Sequence, residues 1–180
     1  MGLANLANAT VIGVNQIKIT STNTTSLQIS EVVAISGGFD VALTSAGATT
    51  ADGGWGWPST GANNSHPGHT IDGIAPSGWP NIFHSNSPGA GEFLTVILSG
   101  SYNIDSLSIF GRNDCCSGRD IYDVELLDAS GSLLFSANGQ SANNAAHEAV
   151  VVLTTVPEPG SLALLSLGVL GLWRVRHHKA

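Results

Sequence analysis

Between residues 10 and 156, apolar and polar positions alternate in short runs. NQIKIT (15–20), LQISEVVAI (27–35), FDVAL (39–43), FLTVIL (93–98), SLSIF (106–110), YDVELLD (122–128), SLLFS (132–136) and EAVVVL (148–153) are each rich in Val, Ile, Leu or Phe. Gly, Asn, Ser or Asp separate them, which is the pattern of strands and turns. No segment here sustains an apolar period of 3.6, so layouts that place a helix between parallel strands are disfavoured. The pattern predicts an all-β fold, a sandwich of antiparallel strands. One long interruption, residues 45–91, carries Trp55, Trp57, Trp79, His66, His69 and His84 among Gly, Pro and Asn. A connection of that length either performs a function or hides short strands.

The last residues follow a different rule. VPEPGSLALLSLGVLGLWRVRHHKA begins with a proline break and continues with an apolar run from Gly160 to Trp173 that has no polar stripe. It ends in Arg174, Arg176, His177, His178 and Lys179. A surface helix of a globular domain would show a polar face. The run is short for a bilayer, which takes about 20 apolar residues, and it spans by borrowing its flanks. The basic end is expected to remain cytoplasmic.

This order of motif, apolar helix and basic end resembles the PEP-CTERM sorting signals of bacteria, with Val156, Pro157, Glu158 and Pro159 as the motif. The resemblance implies export, recognition by an exosortase, membrane anchoring through the helix before processing, and delivery to the cell surface or extracellular matrix. Residues 156–180 are read as that sorting segment. Export calls for a leader, and MGLANLANA offers only the small-x-small triplet Ala7-Asn8-Ala9. Residues 1–9 are therefore read as a signal-peptide remnant or a misassigned start, and 10–155 as the folded domain.

Charge narrows the partners. The chain of 180 residues has a formal net charge of −7, and Lys18, Arg112 and Arg119 are its only Lys or Arg before residue 158. Nucleic acid is set aside, because neutralising phosphates takes clustered cations. Adjacent Cys115 and Cys116, with no other cysteine, exclude an ordinary disulfide framework and a four-cysteine zinc site.

Two of those cations flank the cysteines in GRNDCCSGR (111–119). The segment lies between SLSIF and YDVELLD, so a hairpin tip at one end of the sandwich is expected. A purely structural role would pair Arg112 with Asp114 and Arg119 with Asp120, contributing little to stability. Cys115 and Cys116 admit a strained ring, a pair of free thiols, a soft metal site or a redox switch; neighbouring Cα atoms sit about 3.8 Å apart, where disulfides prefer about 4.4 to 6.8 Å. Forked guanidinium donors, an imidazole and an apolar surface are also the parts that hold a sugar's hydroxyls and its C–H face.

The segment resembles the fucolectin group of the coagulation factor V/VIII type C, or discoidin-like, galactose-binding domains. Their Arg-x-Asp-Cys-Cys-x-x-Arg pattern falls on Arg112, Asp114, Cys115, Cys116 and Arg119. His84, in FHSN, matches the upstream histidine of that family. LQISEV, Val41 to Leu43, TIDG (70–73) and VELLD (124–128) fit its scaffold. Glu92, Phe93 and Leu94 replace its usual aromatic pair and arginine, and Gly111 stands where an asparagine is common. The resemblance implies a jelly-roll β-sandwich in which Arg112, Arg119 and His84 contact a fucose-like sugar and a Cys115–Cys116 disulfide packs on its ring. It also implies a structural calcium near Asp72.

His66, His69 and His84 could instead suggest zinc, and the spacing of His66 and His69 with Asp72 is compatible with a metal, but Pro67 and Gly68 prevent a helix from aligning the ligands. No nucleophile elbow, zinc-protease helix or phosphate loop is present, so no enzyme is expected. The expected function is an exported, non-catalytic carbohydrate-binding module acting on a glycan or exopolysaccharide. The alternative is a structural or adhesive matrix protein without an intact sugar pocket.

Overall fold

The computed structural model describes residues 9–55 and 65–154. The sorting motif, the apolar run, most of the leader remnant and Trp57 lie outside those residues. The described chain forms eleven strands and no α-helix. In order they are β1 (Val11–Ser21), β2 (Gln28–Ile29), β3 (Glu31–Ser36), β4 (Phe39–Asp40), β5 (Thr49–Asp52), β6 (Phe83–His84), β7 (Phe93–Ile104), β8 (Ser106–Phe110), β9 (Ile121–Leu127), β10 (Leu133–Ser141) and β11 (Glu148–Val151).

A five-stranded sheet runs β10-β9-β1-β7-β5, a four-stranded sheet β11-β8-β3-β4, and β2 pairs with β6 alone. Every pairing is antiparallel. Alternation explains which side each strand buries. Ile17 and Ile19 of β1, Tyr122, Val124 and Leu126 of β9, and Leu94, Val96 and Leu98 of β7 point inward. They meet Val32 and Ala34 of β3, Leu107 and Ile109 of β8, and Ala149 and Val151 of β11 in one core. Two sheets sharing one core is compatible with the expected β-sandwich. Early in β1 the inward positions are Val11 and Val14, three apart. The register on β7 shifts on both sides of Val14. Gly13 lies in this irregular stretch with φ +81°, which glycine adopts without a Cβ penalty.

Two sequence expectations change. LQISEVVAI is not one strand: Ser30 separates β2, which turns to β6, from β3 in the four-stranded sheet. FDVAL pairs only through Phe39 and Asp40, because Val41 and Ala42 turn inward as buried residues and Val41 N–H donates to the Ala34 carbonyl. The long interruption does hide strands, β5 and β6.

Candidate functional site

The segment 111–120 connects β8 of one sheet to β9 of the other, so it is a crossover at the edge of the core and not the expected hairpin tip. Its ends are held by the backbone: Gly111 N–H donates to the His147 carbonyl at 2.8 Å, and Ala142 N–H to the Asp120 carbonyl at 2.9 Å. β2 leads the second part of the site here. Ser30 N–H donates to the Phe110 carbonyl at 2.8 Å, and Gln28 faces His84 across the β2–β6 pair. His84 is thereby carried to the end of β8, where the crossover departs.

The crossover is also tied to residues 76–79. Asn113 donates from its amide to the Pro76 carbonyl at 2.9 Å and from its backbone to Ser77 at 3.1 Å. Asp114 accepts the Trp79 N–H at 3.1 Å and both arms of Arg112, Nε to Oδ1 and Nη2 to Oδ2, the latter at 2.8 Å. The fork holds the Asp114 carboxyl down to about 2 and raises Arg112 above the usual guanidinium range. Arg112 lies 5.7 Å from the centre of the Trp79 ring, and that ring meets His84 edge-on at 5.8 Å. A guanidinium at that distance from an indole gains roughly 0.5–1 kcal/mol at an exposed site.

Burial lowers the pKa of His84. Its 2.9 Å contact with the Ser85 carbonyl works the other way, and the charges of Arg119 and Arg112 lower it further. His84 is therefore a neutral ring at pH 7, with one nitrogen committed to the backbone. Cys115 and Cys116 form a disulfide, both residues exposed, with Cα atoms 3.8 Å apart. Cys116 takes a left-handed conformation, φ +65°, which costs a non-glycine residue about 1 kcal/mol or more and is typical of constrained functional loops. Of the readings left open for the cysteines, the structure shows the bridged form.

The two arginines differ. Arg112 has its acid, as the structural reading of the pair required. Arg119 does not pair with Asp120: its backbone is fixed by Cys116 and by Asn23, while its guanidinium makes no ion pair among the described residues. Asp120 lies buried, and neither carboxylate oxygen has a hydrogen-bond partner among the described residues. Burial pushes its carboxyl up to about 7, against the pull of Arg112, Tyr122 and Arg119. Gly111 is what admits it, since a Cβ there would lie 2.3 Å from Asp120 Oδ2. Sequence reasoning missed Asp120 and the bridging part of Trp79. The Trp-Pro pair in a histidine-rich connection was a signal for the second; nothing local marked the first.

Asp72 sits apart from this cluster, beside β3. Its Oδ1 accepts the Ile74 N–H at 2.9 Å, and Oδ2 lies 3.4 Å from His69 Nδ1. Glu31 comes alongside: Oε2 accepts the N–H groups of Gly73 and Ile74 at 3.2 Å each, while Oε1 is buried without a partner among the described residues. Burial first and then the Asp72 charge push Glu31 up to about 8. Two carboxylates side by side are the kind of group a hard, oxygen-seeking cation uses, but no third His, Cys, Asp or Glu completes a metal-holding group with them among the described residues. His66 spends Nδ1 on the Gly68 N–H, capping the turn Pro67–Ile71. No group of three or more His, Cys, Asp or Glu among the described residues could hold a metal, which leaves the zinc pattern without support.

Residues 155–176 match the PEP-CTERM protein-sorting motif. Val156, Pro157, Glu158 and Pro159 fall inside that match. The motif implies exosortase-dependent export and sorting to the cell surface, with exosortase as the processing partner. Among the described residues no helix is long and apolar enough to cross a membrane. No curated protein and no solved structure matches the chain.

Proposed function

We propose that residues 10–155 are a non-catalytic, lectin-like carbohydrate-binding domain of the discoidin-like jelly-roll kind, delivered to the cell surface or matrix by its PEP-CTERM tail. The observation that carries this reading is the gathering of Arg112, Trp79 and His84 into one unit, the guanidinium against the indole and the indole edge-on to the imidazole, beside Arg119 and the exposed Cys115–Cys116 bridge. Guanidinium N–H groups would meet vicinal hydroxyls, the neutral imidazole would meet a third, and the sulfur bridge would pack on the apolar face of the ring. The resemblance of the 111–119 segment to fucolectins makes a fucose-like unit of a glycan or exopolysaccharide the first ligand to try. In this reading the apolar run 160–173 anchors the chain in the membrane until exosortase acts.

Calcium belongs to the same proposal in a supporting place. Glu31 and Asp72 would hold it, and it would neutralise two carboxylates that otherwise repel each other at the base of the Asp72–Gly73 turn.

Titration calorimetry of the full chain with fucose and with purified bacterial exopolysaccharide tests the site. Arg112→Ala and Arg119→Ala are each expected to weaken binding at least tenfold, as loss of a charged hydrogen-bond donor implies. Unchanged affinity in both variants refutes the assignment.

A second reading has its own observation. Val150 of β11 and Val152 just beyond it are more than half exposed, and the partly exposed Val33 and Ile35 of β3 lie on the other side of β8, whose Ser108 pairs with both Val150 and Val33. Exposed valines on both sides of β8 would suit an adhesive matrix protein, which would stay in extracellular polymer without affinity for any saccharide.

A further inference from the structure

The carbohydrate reading leaves the ligand's charge open, and the unequal treatment of the two arginines addresses it. Before residue 158 the chain has three Lys or Arg residues against a net charge of −7 overall. Lys18 is paired with Glu125 at 3.0 Å across β1 and β9, and Arg112 is held by both oxygens of Asp114. Arg119 alone of the three lacks an acid partner among the described residues. The acid nearest to it in sequence, Asp120, is turned into the protein against Gly111. With its carboxyl pushed up to about 7 by burial, Asp120 is about half protonated at neutral pH and cancels less than one charge.

A neutral hexose would use the N–H groups of Arg119 but not its charge. A carboxylate would use both, because it matches the planar fork of a guanidinium with two parallel hydrogen bonds. Its competitors for that position are weak, since the neighbouring acids are already engaged or buried. The Cys116 carbonyl and the Asn23 amide fix the Arg119 backbone at 3.0 Å each, which holds the base of the side chain in place.

Resting on the carbohydrate reading, we infer that the site selects an acidic saccharide, a glycan carrying uronate carboxylates, and that Arg119 takes the carboxylate while Arg112 and His84 hold ring hydroxyls. Arg119 is then the specificity-determining residue, and Arg112, already neutralised by Asp114, serves either kind of sugar.

The test pairs each acidic sugar with its neutral parent: methyl galacturonide with methyl galactoside, methyl glucuronide with methyl glucoside, and fucose as a further neutral sugar. Calorimetry of the full chain at pH 7 and low salt is expected to show one acid binding about tenfold tighter than its parent, a preference that shrinks in high salt. Arg119→Gln should weaken the neutral sugar through the lost fork of donors and the acid still further, bringing the ratio to about one, and Arg119→Lys should retain part of the preference. Equal affinities in the native chain overturn acidic selectivity and leave the carbohydrate reading standing. A preference that survives Arg119→Gln overturns the role of Arg119. Absence of binding by every sugar overturns both inferences.

Discussion

The crossover 111–120 and the turn 66–74 each sit over a carboxyl group with no exposed surface, Asp120 in the first and Glu31 in the second. Burial raises both, to about 7 and about 8. What surrounds them is opposite in sign. Asp120 is pulled back down by the Arg112 backbone and Tyr122 first and by the charges of Arg112 and Arg119 after them, whereas Glu31 faces Asp72, which pushes it higher. The same desolvation therefore yields two different sites. Over Asp120 there is positive charge to spare and a demand for hydroxyls or an anion. Beside Glu31 there is negative charge to spare and a demand for a proton or a cation. A buried acid is thus informative only together with the charges that face it.

The largest effect expected from breaking this contrast is at Gly111. An alanine Cβ would stand 2.3 Å from Asp120 Oδ2 and 2.9 Å from its Cβ, in a place where neither can move into solvent. Gly111→Ala should destabilise the domain by about 3 kcal/mol, the upper range for forcing an atom into a packed interior. It should also displace the start of the crossover and weaken whatever Arg112 binds. Adding Asp120→Ala should restore part of the stability, and urea unfolding of the single and double variants measures both. No cost in the single variant would show that the carboxyl is not packed on Gly111.

Glu31→Ala comes next, on the opposite side of the contrast. Gly73 N–H loses its acceptor, while Ile74 N–H keeps Asp72 Oδ1. One unsatisfied donor sets the cost at roughly 2 kcal/mol. The loss should be smaller at pH 9 than at pH 5, because repulsion from Asp72 is relieved only where Glu31 is ionised. If Glu31 and Asp72 hold calcium, millimolar calcium raises the melting temperature of the native chain and does nothing for this variant. A melting temperature indifferent to calcium in the native chain removes the metal from the proposal.

These sites were unequally legible in the sequence. Alternation gave the strand segments, because inward positions two apart leave a pattern wherever one face is buried. It missed β5, whose Thr49–Asp52 has almost no buried side chain and pairs through its backbone alone. It also misplaced 111–119 as a hairpin tip, since adjacent strands in sequence do not announce that they lie in different sheets. The residues Arg112, Arg119, Cys115, Cys116 and His84 were visible as rare types in a chain poor in charge. Glu31 and Asp120 were not, because each looks like an ordinary acid at a strand end until burial is known. The pairing of Gln28 with His84 is a long-range event with no local trace.

The last effect separates the two acids by pH. A carboxyl raised on folding binds its proton more tightly in the folded chain, so its contribution is fully present below the ordinary carboxylate range and is lost as pH rises through the folded value. Asp120 and Glu31 both act in this direction, and the native domain should lose stability from about pH 4 toward pH 8. Asp120→Asn removes the limb near 7 and leaves the one near 8. Melting curves across pH should show the variant gaining on the native chain as pH rises from 5 to 8, by up to about 3 kcal/mol, because each pKa unit between pH 5 and the folded value near 7 is worth about 1.4 kcal/mol. An unchanged slope in Asp120→Asn would mean that Arg112 and Arg119 already keep Asp120 ionised. The crossover would then carry no spare positive charge, and the contrast with the Glu31 turn would rest on Glu31 alone.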